Sequence, residues 1–142
     1  MSSTAYESAT LLIRLYELRR EPTMREARNW FAREFNPASI DEVMQALNGP
    51  HSGHFRMASS YWDMAASFVL NGAIDEKMFN DANGEQVVVF AKLEPFLAEY
   101  RKRTGNPAYL SSLETIVLKR PGAKESLPGI RERFRAMASA SR

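Results

Sequence analysis

The sequence contains no cysteine. That absence excludes a disulfide framework, a thiolate metal site and a cysteine nucleophile. No apolar run approaches the roughly 20 residues that a membrane helix needs. The first twenty residues carry Glu7 and Arg14 and lack a small-residue cleavage pattern, so no secretory leader is expected. Charge of one sign is also lacking: 19 Lys and Arg stand against 17 Asp and Glu, a formal net charge of +2. A strongly basic or acidic tail protein is therefore excluded. These absences predict a reduced, cytoplasmic, soluble protein with no membrane segment.

Catalytic and cofactor motifs are missing as well. There is no Gly-x-Ser-x-Gly elbow, no Gly-x-x-x-x-Gly-Lys phosphate loop and no Gly-x-Gly-x-x-Gly fingerprint. Asp81-Ala82-Asn83-Gly84 resembles the start of a calcium loop, but its glycine arrives at the fourth position where that loop needs it at the sixth. It reads as a turn. His51 and His54 are the only histidines. They flank a glycine-containing helix start instead of sharing a settled helix face, and structural zinc sites want four ligands. No metal ligand, cofactor or catalytic residue is assigned.

What the chain does have is an ordinary globular balance, with 44% hydrophobic and 25% charged residues over a length suited to one domain, 1–142. The charge is uneven. Residues 1–50 sum to −1, residues 51–100 to −4 and residues 101–142 to +7. Helix signals recur from end to end, and the fold class is all-α: a single compact domain of six to eight helices. The first helix is expected over 5–20, with Leu11, Leu12, Leu15, Tyr16 and Leu18 as its apolar stripe. Glu21-Pro22 ends it. A second is expected to open on a capping box of Thr23 and Glu26 and to stop at Asn36-Pro37. A third follows from Ser39 and Glu42 through Leu47. The central helix is expected over 53–71, apolar around much of its circumference and closed by Gly72. Asp75 caps a short segment over 76–80. Residues 85–103 mix strand propensity at Val87-Val88-Val89-Phe90 with helical spacing of Val89, Leu93, Phe96, Leu97 and Tyr100. The spacing predicts helix, kinked at Pro95. Further helices are expected over 108–119 and 129–138, with a frayed tail over 138–142.

The runs Tyr61-Trp62-Asp63-Met64, Phe68 through Asp75, Leu93-Glu94-Pro95-Phe96-Leu97 and Tyr100-Arg101 resemble an uncharacterised bacterial family, domain of unknown function 4760. The resemblance covers about residues 55–117. It implies a helical fold and no particular activity. Some members of that family carry an N-terminal membrane helix. This chain shows no such segment, so membrane attachment is not carried over.

Two polar patterns remain. Arg56 and Asp63 lie seven apart on the central helix, and Glu94 and Arg101 repeat that spacing on the later one. If the two strips face each other, Arg56–Glu94 and Asp63–Arg101 become cross-helix pairs, forming either a structural ion-pair network or a pocket for a small polar ligand. The basic C-terminal third is the second pattern. Arg131, Arg133 and Arg135 fan around a helix instead of lining one face, and the helix Ile40–Leu47 has two acids and no base. A recognition helix in a phosphate-lined groove should not look like that. The composition argues against nucleic acid beyond weak electrostatic attraction. The reading is a non-enzymatic protein–protein interaction module that forms a homo-oligomer, a dimer by preference. The alternatives are a small-ligand pocket or weak nucleic-acid binding.

Overall fold

Helix boundaries in the computed structural model, which describes residues 2–141, follow the side chains able to satisfy helix-end amides. Helix α1 (Ala5–Arg19) starts on a reciprocal capping box. The Thr4 hydroxyl accepts from the Glu7 amide at 3.1 Å, and the Glu7 carboxylate accepts from the Thr4 amide at 2.9 Å. Helix α2 (Pro22–Asn29) corrects the predicted start at Thr23. Glu21 is the cap, accepting from the Met24 amide at 2.9 Å, and Pro22 sits in the first turn, where its missing N–H costs nothing. The Met24 and Thr23 amides hold the Glu21 carboxyl below its usual range. Helix α2 runs on into a π-helical turn, Trp30–Glu34, before Asn36-Pro37 ends it.

Ser39 caps α3 (Ile40–Asn48), accepting from the Glu42 amide at 3.2 Å. The Glu42 carboxylate completes the start differently from a capping box, reaching the Ala38 amide at 2.7 Å. The central helix α4 spans Ser52–Leu70, and Gly72 follows it at φ 80°. Asp75 caps α5 (Glu76–Ala82) as expected. The ambiguous stretch is helical: α6 (Glu85–Leu93), a 3₁₀ turn at Glu94–Phe96 holding Pro95, and α7 (Leu97–Thr104). Gly105, at φ 68°, closes α7. Helix α8 (Ser111–Leu118) starts three residues later than the sequence predicts, because Leu110 adopts a left-handed conformation at φ 57°. Helix α9 (Ala123–Ala140) starts six residues earlier than predicted and continues two residues past the predicted end. Pro128 is accommodated within its second turn. Arg142 lies outside the described residues.

The result is all-α, with α4 at the centre. Phe55, Ala58, Trp62, Ala65, Ala66 and Val69 bury one broad face of α4, and its most extensive neighbours are α8 and α2. Fully burying a side chain such as Phe55 contributes about 1.5–3 kcal/mol. The adjacent face of α4 divides. Tyr61 is buried with its hydroxyl donating to the Leu15 carbonyl at 2.7 Å, which ties α1 down, while Met57 and Met64 stay partly exposed. The start of α1 is pinned to the turn after α4: Ser3 donates from its amide to Gly72 and from its hydroxyl to Ala73, and the Ser8 hydroxyl accepts from the Asp75 amide. Among the described residues no helix is long and apolar enough to cross a membrane.

Candidate functional site

The four candidate residues do not converge, so the predicted cross-helix pairs are corrected. The Asp63 carboxylate accepts from the Leu113 amide at 3.0 Å, at the start of α8. Arg101 donates to the Tyr109 carbonyl at 2.9 Å and to Glu114 at 3.0 Å. Glu94 faces Arg131 at 3.5 Å. Arg56 is exposed on α4. Spacing within a helix fixes a face, but it does not name the helix opposite. The polar face of α4 meets α8, so Asp63 finds the Leu113 amide at a helix start, where a carboxylate is favoured.

The histidines lie against rings. His51 stacks on Trp30 with centroids 5.1 Å apart and planes at 15°, and Trp30 also stacks with Phe35 at 5.0 Å. His54 lies 6.2 Å from Trp30. Trp30, His51, Glu34, Gln45 and Arg135 line an open cleft of about 570 Å³ between α3 and the end of α9. The space between α2, α4 and α6 is filled to a void of about 10 Å³, so no ligand cavity lies there.

Two arrangements escaped the sequence. The first is Lys92 on α6, which is 2% exposed. Its ammonium donates to the carbonyls of Phe31 at 2.7 Å, Ala32 at 2.9 Å and Phe35 at 2.9 Å. These are carbonyls that the π-helical turn and its end leave free for an outside donor. The Phe134 ring of α9 covers the ammonium at 5.1 Å. Burial, reinforced by the nearby Arg135 charge, pushes the Lys92 amine down to about 7. A lysine two residues after a Val-Phe run gives no sign of this in sequence. The partner carbonyls are about sixty residues away and depend on a turn type that sequence pattern does not encode.

The second arrangement joins α1, α2, α4 and α6. Arg28 makes a two-point pair with Glu85, Nε to Oε2 at 2.8 Å and a terminal nitrogen to Oε1 at 3.1 Å. The same Oε2 accepts from the Trp62 indole N–H at 3.2 Å. Arg28 also donates to the Arg19 carbonyl at 3.1 Å, binding the end of α1 to α2. The Arg19 guanidinium lies 5.2 Å from the Tyr16 ring and 5.5 Å from the Trp62 ring. The i, i+3 placement of Tyr16 and Arg19 was readable, but the convergence of α2 on that spot was not.

A family model described as Domain of unknown function (DUF4760) matches residues 4–119. That range extends the resemblance seen over 55–117 back through α1, α2 and α3, and it stops before α9. No curated protein and no solved structure matches the chain.

Proposed function

The chain belongs to the DUF4760 family, and from that premise we propose that it is a non-catalytic interaction module that pairs with a second copy of itself through α1. The observation that carries this reading is the outward face of α1, where Tyr6 is 81% and Ile13 58% exposed, two turns apart on one side. Tyr16, half exposed, flanks them. The opposite side already buries Ser8 and Leu15. A helix with apolar residues on both sides has a second contact to make. Exposed tyrosine suits such a contact, because it supplies area at low conformational cost.

The charge order of α1 favours its own copy. Glu7 lies in the first turn, while Arg14, Arg19 and Arg20 outnumber Glu17 towards the end. Antiparallel pairing about Ile13 sets the acidic start of one helix beside the basic end of the other and opposes their dipoles. A two-fold axis closes such an assembly. One helix per partner is a small interface, so the dimer is a weak one. The rest of the molecule fits a binding role: the Lys92 amine is bound to three carbonyls and the His51 imidazole stacks on Trp30.

Sedimentation over a concentration series tests this. The expected result is a concentration-dependent dimer for the natural sequence and a monomer for Tyr6→Gln/Ile13→Gln with unchanged melting. A monomer at every concentration, or a dimer that survives both substitutions, refutes self-pairing through α1.

A further inference from the structure

Where α1 ends and α2 begins, four arginines crowd one open cleft of about 390 Å³: Arg19, Arg20, Arg25 and Arg28, with Tyr16 as its wall. Only Arg28 has an acid partner there, and Glu85 takes it in a two-point pair. Among the described residues no ion pair joins Arg19, Arg20 or Arg25 to a carboxylate. Glu21, next to Arg20 in the chain, turns its carboxylate to the Met24 amide at 2.9 Å. Like charges held this close repel one another, and a fold that gathers three of them without a paired carboxylate leaves their positive potential for an anion to meet.

The cleft is also shaped for such a ligand. Arg19 and Arg20 lie over the Tyr16 ring at 5.2 and 5.7 Å, and Arg19 over Trp62 at 5.5 Å. A guanidinium held against aromatic rings keeps its terminal nitrogens for an oxyanion. The Arg19 Nε is buried and has no hydrogen-bond partner. That is a polar group left unsatisfied by the protein alone, in a place where such groups normally are satisfied.

We infer that this cleft binds a ligand carrying two or more linked phosphates. A single phosphate ester brings about −1.5 to −2 of charge. Three uncommitted guanidiniums match a diphosphate better, with Arg19 inside and Arg20 and Arg25 at the rim. The near-neutral sum over residues 1–50 concealed the site, because Glu7, Asp41 and Glu42 offset its charge in the count while bonded elsewhere, to the Thr4 amide, Arg103 and the Ala38 amide. The inference does not depend on self-pairing of α1. Tyr6→Gln/Ile13→Gln keeps all four arginines and retains the site whether or not it dimerises.

The Trp62 indole N–H, bonded to Glu85 and lying under Arg19, is the reporter. Its indole N–H signal is followed by nuclear magnetic resonance at low salt while pyrophosphate, inorganic phosphate, sulfate or a short single-stranded oligonucleotide is added. Expected is a saturable shift with pyrophosphate, at least tenfold tighter than with phosphate or sulfate. Arg20→Glu/Arg25→Glu should weaken it at least tenfold with unchanged melting. If that pair of substitutions lowers the melting point, Arg25→Gln alone must still weaken binding. No saturable shift, equal affinity for sulfate, or undiminished binding in the arginine variants overturns the inference. So does a response to the oligonucleotide without one to pyrophosphate, which would assign the cleft to a nucleic-acid backbone.

Discussion

At the scale of single residues, Lys92 shows how one side chain can set the geometry around it. A π-helical turn leaves carbonyls without intrahelical donors, and an apolar side chain at position 92 would bury Phe31, Ala32 and Phe35 oxygens unpaired. Lys92→Met keeps length and volume and removes only the donor. The expected cost is about 1–3 kcal/mol, read from denaturant midpoints at pH 7. The pH dependence has a definite sign. The folded amine lies at about 7, below the ordinary lysine range of an unfolded chain. Below pH 7 both states hold the proton. Between pH 7 and about 10 the unfolded state holds more, so the Lys92 contribution to stability rises with pH. The stability difference between the natural chain and Lys92→Met should therefore grow across that window. A difference that is flat or shrinks from pH 7 to 9 would contradict the depressed amine.

At the scale of elements, the helices were legible wherever their ends were chemically marked. Ser39 and Asp75 cap α3 and α5, Gly72 and Gly105 follow α4 and α7, and Pro95 sits in a 3₁₀ break. The same local logic failed where two signals competed. Thr23 and Glu26 offered a capping box, but Pro22 favours the first helical turn and leaves Glu21 extended to cap it. The candidate cluster of Arg56, Asp63, Glu94 and Arg101 failed for a different reason. It assumed which helices face one another, and that is set by long-range packing of α4 on α8. The start of α8 was hidden because Leu110 holds a left-handed conformation that leucine rarely adopts. That conformation costs about 1–2 kcal/mol, yet Leu110 is 1% exposed, and truncating a buried leucine costs about 2–5 kcal/mol. Burial is the larger effect. Leu110→Gly should therefore lower stability by about 1–3 kcal/mol despite relieving the backbone. A stabilised variant in thermal melts would show that backbone strain outweighs the burial of this side chain.

At the scale of the whole molecule, part of the cationic C-terminal third is paired with acids of the same chain. Arg103 reaches Asp41 and Glu99, Lys119 reaches Glu76, and Arg131 reaches Glu94 and the Ala91 carbonyl. These exposed or half-exposed pairs are individually weak, so the attachment of α9 must come mainly from packing. Leu127 is 1% exposed, Ala123 is buried, and Phe134 roofs the Lys92 ammonium. The family match ends at residue 119, so α9 is packed onto a core that is matched without it. Truncation after Arg120 separates the two. The core helices α1–α8 should remain, since α4 packs most extensively on α8 and α2, whereas α9 packs chiefly on α6. Loss of Leu127 burial alone should remove about 2–4 kcal/mol. Both causes of the depressed Lys92 amine, the cover over it and the Arg135 charge, depart together. Its titration, followed on the side-chain carbon beside the amine, should then move up from about 7 towards the ordinary lysine range. If the shortened chain keeps its melting temperature, or Lys92 still titrates near 7, then α9 is not the roof of that site. Its arginines would then be free for a partner instead of holding the molecule closed.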